Sequence, residues 1–241
     1  MKLSYAESIA LAQAVIPEKI SADNEVVLCP SFTALHQIGE IIKNSDFKLG
    51  AQNVFYHEKG SYTGEITPLH LKELGVKYVI VGHSERRQNL HETNEEINRK
   101  TKICLENNVT PIVCVGETLE QRQRNQTDLT LITQISSAMQ DIKLKEEQQL
   151  FIAYEPVWVI GSGQAINPSN AEHAAQVISH TLLDFFPPND IKNKVSILYG
   201  GSIDADNVND FIKPGLLNGV LVGGSSQNAE KFIPLIKRLS S

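Results

Sequence analysis

Apolar residues gather in seven short runs: EVVLC (25–29), FKLGA (47–51), VKYVIV (76–81), TPIVCV (110–115), LFIAY (150–154), VSILY (195–199) and GVLVG (219–223). Most are nearly continuous rather than alternating with polar residues, the pattern of parallel strands covered on both faces. Around them lie eight stretches with helical spacing, at about 5–16, 31–43, 67–75, 92–108, 118–140, 168–186, 204–212 and 227–239. Several starts are visible. Ser4 and Glu7 have capping-box spacing. Pro68 follows Thr67, Pro168 follows Asn167, and Asp204 follows an apolar residue.

Each strand is followed by a helix, and only the first helix has no strand before it. Strict alternation predicts a parallel sheet with right-handed crossovers. Eight such units in about 250 residues is the size of a closed (β/α)8 barrel. The fold class read from the pattern is therefore α/β, a TIM-type (β/α)8 barrel with seven of its strands in this sequence and one expected ahead of Met1. A doubly wound open sheet is the alternative. A GxGxxG turn after the first strand would favour it, and none is present. No linker or low-complexity stretch divides residues 1–241, so a single domain is expected.

Composition narrows the reading. A chain of 241 residues with 41% apolar and 21% charged residues suits one soluble barrel. The formal charge of -6 argues against a nucleic-acid partner. No apolar run reaches the roughly 18 residues of a membrane span. Glu7, Ser8 and Gln13 interrupt the first helix, and no small-residue cleavage site follows, so it does not read as a secretion signal. Cys29, Cys104 and Cys114 are odd in number and lack CxxC spacing, which fits buried thiols in a reducing compartment such as the cytoplasm.

In a barrel the reactive groups gather at the C-terminal strand ends. VGHSERR places His83 two residues after the run 76–81, where it can serve as acid, base or carbonyl-polarising donor, or as a structural histidine. His36, His57, His70, His91, His173 and His180 read as structural. AYEPVWVIGSG puts Glu155 directly after a buried strand, between apolar neighbours and Trp158. Desolvation there would make it a more basic carboxylate, suited to a general base; an ion-paired structural glutamate is the other reading. The glycines 161 and 163 that follow suit a mobile lid or an ordinary turn. YGGS (199–202) and VGG (222–224) end the last two strands, where glycine loops commonly hold a phosphate through backbone N–H groups. Glu117 also sits at a strand end and reads as structural, with support of the site's own side chains as the other reading. No cluster has metal-ligand spacing and no GxSxG elbow occurs.

The motifs VGHSERR, AYEPVWVIGSG, YGGS and VLVGG, in this order, resemble the triosephosphate isomerase family, as do AQNV and GSYTGEI (60–66). The resemblance runs from end to end. It implies interconversion of dihydroxyacetone phosphate and glyceraldehyde 3-phosphate with no cofactor and no metal. It casts Glu155 as the base, and His83 as the neutral imidazole that polarises the carbonyl; that family's histidine is a standard example of such tuning. Gly161, Ser202, Gly223 and Gly224 match its phosphate-binding positions, and the family's lid is a standard example of loop closure. The long loop 52–66, with Thr63, matches a segment that enters the neighbouring subunit, so a C2 homodimer is expected; a disordered loop on a monomer is the alternative. Val159 and Gln164 depart mildly from the family's lid.

One departure is larger. The family opens with a short strand ending in Asn, then Lys, then commonly Met. The sequence starts at that Met, and Lys2 lies on its other side. The expectation is a barrel open between runs 25–29 and 219–223. A natural protein with roughly ten further residues is expected. The chain without that lysine is expected to be impaired. A non-catalytic phosphate-binding barrel is the competing reading. An aldolase-like barrel would want a Schiff-base lysine at a strand end, and none of the seven ends offers one clearly.

Overall fold

All seven apolar runs form strands: β1 (Val27–Leu28), β2 (Lys48–Ala51), β3 (Tyr78–Val81), β4 (Thr110–Val115), β5 (Leu150–Tyr154), β6 (Val195–Tyr199) and β7 (Gly219–Val220). In the computed structural model, which describes residues 2–161 and 163–240, they make one parallel sheet in the order β1 to β7. Met1, Ser162 between Gly161 and Gly163, and Ser241 lie outside the described residues. The sheet curls with helices around it, as the strand-helix alternation predicts for a barrel. Among the described residues β1 and β7 are the two ends of the ladder, each with one strand neighbour.

Alternate side chains explain why the runs are continuously apolar. Val79, Val81, Val113, Val115, Ile152 and Tyr154 point outward into the main core under the helices. Tyr78, Ile80, Ile112, Cys114 and Ala153 form a second cluster on the opposite face. A strand buried on both sides has no position left for a solvated residue. The middle of the sheet is the most regular part, with five registered pairs between β5 and β6 and two between β6 and β7.

The helices follow the capping signals closely. At α1 (Tyr5–Val15) Ser4 and Glu7 make the reciprocal capping box. Thr67 caps α3 (Pro68–Glu73), with Pro68 at its first position. The remaining long helices are α2 (Phe32–Ile42), α5 (Asn94–Glu106), α8 (Pro168–Leu182) and α11 (Ala229–Ser240).

Three details differ from the sequence expectation. The stretch 118–140 is two helices, α6 (Leu119–Gln123) and α7 (Thr127–Met139), because Asn125 takes a left-handed conformation (φ 53°) that ends the first. The stretch 204–212 is helical only at α10 (Val208–Phe211), because Asp204 Oδ1 accepts the N–H groups of Asp206 and Asn207 and holds a turn. Two short polar helices carry no apolar stripe to announce them: α4 (Ser84–Asn89) and α9 (Pro188–Lys194).

Candidate active site

Glu155 follows β5, and its N–H donates to the Val115 carbonyl at 2.7 Å, which prolongs the ladder by one residue. Its side chain is buried, with the residue 2% exposed. A carboxylate in such a place needs partners. Oε2 accepts the Ser84 N–H at 2.9 Å, at the first residue of α4. Oε1 lies 3.0 Å from His83 Nε2. The two residues singled out from separate strand ends thus meet.

The histidine's tautomer follows from its bonds. The Glu85 N–H donates to His83 Nδ1 at 3.2 Å, so Nδ1 is the bare nitrogen and Nε2–H faces Glu155. Burial favours the neutral ring, but the hydrogen bond and charge of Glu155 outweigh it and set the imidazole above its ordinary value; Glu85 adds to the rise and Arg86 opposes it. The neutral form is the one that keeps the Glu85 bond.

Neighbouring groups fix this pair. A Cβ on Gly200 would lie 2.9 Å from Glu155 Cγ, and one on Gly116 would lie 1.7 Å from the Glu155 carbonyl oxygen. The backbone at both positions therefore touches the glutamate. Burial pushes the Cys114 thiol well up and the nearby Glu155 pushes it further, so it stays protonated beside the carboxylate. Arg87 staples β3 to β4 by donating to the carbonyls of Gly82 (2.7 Å) and Cys114 (3.0 Å). Glu117, fully buried, accepts from the Tyr154 hydroxyl and from Trp158 Nε1 at 3.0 Å. Arg122 sits 3.6 Å from its carboxylate and stacks over Trp158 at 4.7 Å. Trp158 belongs to a 3-10 turn, Val157–Val159, at the root of the glycine loop. The structural reading of Glu117 thus gains content: it anchors the base of that loop.

The arrangement pairs a buried carboxylate with an imidazole whose Nε2–H can donate, a set that can move a proton on carbon next to a carbonyl. Comparison with known proteins agrees. A family model described as triosephosphate isomerase matches residues 1–239. The chain belongs to the triosephosphate isomerase family. It is 41% identical over 236 residues to the triosephosphate isomerase of Caldanaerobacter subterraneus subsp. tengcongensis, covering 98% of this chain and 95% of that one. It is 41% identical to that of Endomicrobium trichonymphae (98% and 94% covered) and 40% identical to that of Clostridium botulinum strain Langeland (98% and 95% covered). By family the chain is an isomerase-class enzyme built on a TIM barrel.

The glycine motifs shared with the triosephosphate isomerase family lie at the expected strand ends. Ser202 follows β6 and is half-buried, and its carbonyl accepts from Asn207 Nδ2 at 3.3 Å. Gly223 and Gly224 follow β7 and are exposed. Ser225 Oγ donates to the Ile203 carbonyl at 2.6 Å and so ties the two loops together. Gly161 stands on the exposed glycine loop with φ 76°, a conformation side chains avoid. No hydrogen bond among the described residues joins it to Ser202, Gly223 or Gly224. Among the described residues no three His, Cys, Asp or Glu side chains are grouped to hold a metal. None of their helices is long and apolar enough to cross a membrane.

Thr63 is exposed on the loop between β2 and α3. That loop is well packed at its base. Lys100 Nζ donates to Asn53 Oδ1 at 2.9 Å and pairs with Glu92 at 2.9 Å, and Glu92 pairs with Arg86 of α4. Phe55 stacks on Tyr56 and His57 on Tyr62, the two pairs meet at a tilt, and Arg99 lies over Tyr56 at 3.7 Å. Sequence reasoning did not find Ser84, Cys114, Gly116 or Gly200 as partners of Glu155. The run SERR carried a signal for the first of these, since a polar stretch after a strand offers helix N–H groups.

Proposed function

We propose that the protein interconverts dihydroxyacetone phosphate and glyceraldehyde 3-phosphate by proton transfer through an enediolate, with no cofactor or metal. The observation that carries this reading is the 3.0 Å contact between Glu155 and His83 Nε2, made from two strand ends in a buried setting. The Glu155 carboxylate takes the proton from the carbon beside the carbonyl. His83 Nε2–H donates to the carbonyl oxygen as negative charge gathers there. The carboxylic acid then returns a proton to the neighbouring carbon, and the imidazole serves the two oxygens in turn. Both carboxylate oxygens are occupied in this structure, so substrate must draw Glu155 away from Ser84.

The substrate phosphate is held by backbone N–H groups at Gly161, Ser202, Gly223 and Gly224. Their supports are the glycine conformations and the link between the loops after β6 and β7. The glycine loop closes over the site, because an enediolate phosphate exposed to water loses its phosphate. The protein works as a homodimer, with the loop carrying Thr63 reaching the partner; the stacked aromatic residues favour a preformed loop for this purpose. The proposed compartment is the cytoplasm, in line with three free cysteines.

A coupled assay tests the function in two arms: the 241-residue chain, and the same chain preceded by a strand ending in Asn-x-Lys. Turnover of glyceraldehyde 3-phosphate in at least one arm is the expected result. The probe for binding is 2-phosphoglycolate, whose carboxylate imitates the enediolate charge. Binding of that probe with no turnover in either arm would leave a non-catalytic phosphate-binding barrel. Gel filtration showing a stable, active monomer would remove the dimer.

A further inference from the structure

The strand β4 continues past its last residue alongside the base. Val115 accepts the Glu155 N–H at 2.7 Å, and the Glu117 carbonyl accepts the Val157 N–H at 3.1 Å. Gly116 lies between these two bonds. In a parallel ladder, successive residues turn their N–H and C=O to opposite sides. With 115 and 117 facing the β5 side, the peptide groups of Gly116 face the β3 side. There the chain has already left the sheet, since β3 ends at Val81 and turns through Gly82 (φ 73°) into α4.

A side chain fills the vacant strand position. Gln134 of α7 accepts the Gly116 N–H on Oε1 at 2.8 Å and donates from Nε2 to the Gly116 carbonyl at 3.2 Å. One planar amide thus pairs with both polar groups of one residue, as a neighbouring peptide would. Two bonds to one plane fix the orientation of Gly116 as well as its position. Gly116 in turn has no free space on the β5 side, where a Cβ would stand 1.7 Å from the Glu155 carbonyl oxygen.

We propose that Gln134 is a positioning residue for Glu155, acting through Gly116. It touches neither the carboxylate nor the imidazole. Its amide holds the tip of β4 against the backbone of the base. It thereby keeps the Glu155 carboxylate at its distances from His83 and Ser84. The same tip carries Glu117, so the anchor of Trp158 depends on it too. The catalytic part of this inference rests on the proposed isomerase function.

The test uses the full chain, preceded by the strand described above if that arm is the active one. Gln134→Met keeps the length and removes the amide. Gln134→Glu keeps an acceptor for the Gly116 N–H and loses the donor. A displacement of about 1 Å at a catalytic group costs on the order of 100-fold, so kcat should fall by roughly 10- to 100-fold in Gln134→Met. KM should stay within about threefold, because phosphate binding is untouched, and Gln134→Glu should recover part of the loss. Amide exchange read by mass spectrometry should rise in segments 112–118 and 152–158 of Gln134→Met. Unchanged kcat in both variants of an active enzyme, or faster exchange confined to 127–139, would overturn the proposal. If Gln134→Met does not fold, Gln134→Glu decides by the same two readouts. If the unmodified protein does not turn over, the isomerase reading falls on its own and the exchange pattern still judges the role of Gln134.

Discussion

Gly116 and Gly200 beside Glu155, and Gly223 and Gly224 after the last strand, are the same residue type in opposite surroundings. A side chain at the first pair would run into the Glu155 backbone oxygen at 1.7 Å or its Cγ at 2.9 Å. A Cβ at the second pair would meet nothing within 4 Å. In the middle of the sheet, then, glycine is required by close packing against Glu155. At the flank it leaves backbone open to solvent, where the proposed phosphate would bind. The sheet shows the same gradient. β3 is buried at every residue, whereas β7 is two half-buried residues long. The reaction is assigned to the tightly packed centre, and substrate capture to the adaptable edge.

Gly116→Ala tests this contrast most severely. The new methyl group meets backbone rather than a flexible side chain, so about 3 kcal/mol of stability should be lost, at the upper end for overpacking. Urea unfolding measures it, and kcat should fall with it. Gly200→Ala meets a side-chain carbon at a milder distance and should cost roughly 1–2 kcal/mol, again with reduced kcat. Gly223→Ala and Gly224→Ala should leave stability within about 0.5 kcal/mol, as open surface positions do. Their effect should instead appear as a raised KM for the phosphorylated substrate. If the flank pair cost as much stability as Gly116→Ala, the contrast would be broken.

The smallest expected effect concerns the pH behaviour of His83. Glu155 is what lifts its proton affinity above the ordinary value of 6.5. In Glu155→Gln the histidine midpoint followed by NMR should therefore fall, because burial is left to act with less opposition. The sign for stability follows. With the folded value raised, the contribution of this pair is fully present below about 6.5 and is lost as pH rises through the raised midpoint. A midpoint unmoved by the substitution would mean that Glu155 does not control the ring.

Much of this was legible in the sequence, and what was not has a common cause. The seven strands were readable because burial on both faces forces continuous apolar runs. The placement of Glu155 and His83 at strand ends was readable because a polar residue at the end of such a run is conspicuous. α4 and α9 were not, because short polar helices rest on capping and tertiary contacts rather than on an apolar stripe. Asn125 divided one expected helix in two through a backbone angle that residue identity only permits. Gly116 and Gly200 could not be assigned beforehand, since their importance is a distance to Glu155 across 39 and 45 positions of sequence, and Gln134 meets Gly116 across 18. YGGS was read as a phosphate grip alone. The structure packs its first glycine, Gly200, against the Glu155 side chain.

The most direct test of the central claim, that Glu155 is the base of an isomerase, follows the label in heavy water. Glyceraldehyde 3-phosphate is converted in D2O by the active form of the protein and by Glu155→Gln, and the product is read by NMR. The account predicts dihydroxyacetone phosphate in which part of the product carries deuterium on the carbon that receives the proton, the part formed after the Glu155 carboxylic acid has exchanged with solvent; direct return of the substrate's own proton gives the rest. It also predicts a rate lower by roughly 100- to 10,000-fold in Glu155→Gln, the range for a positioned general base. Equal rates for the two proteins would contradict it.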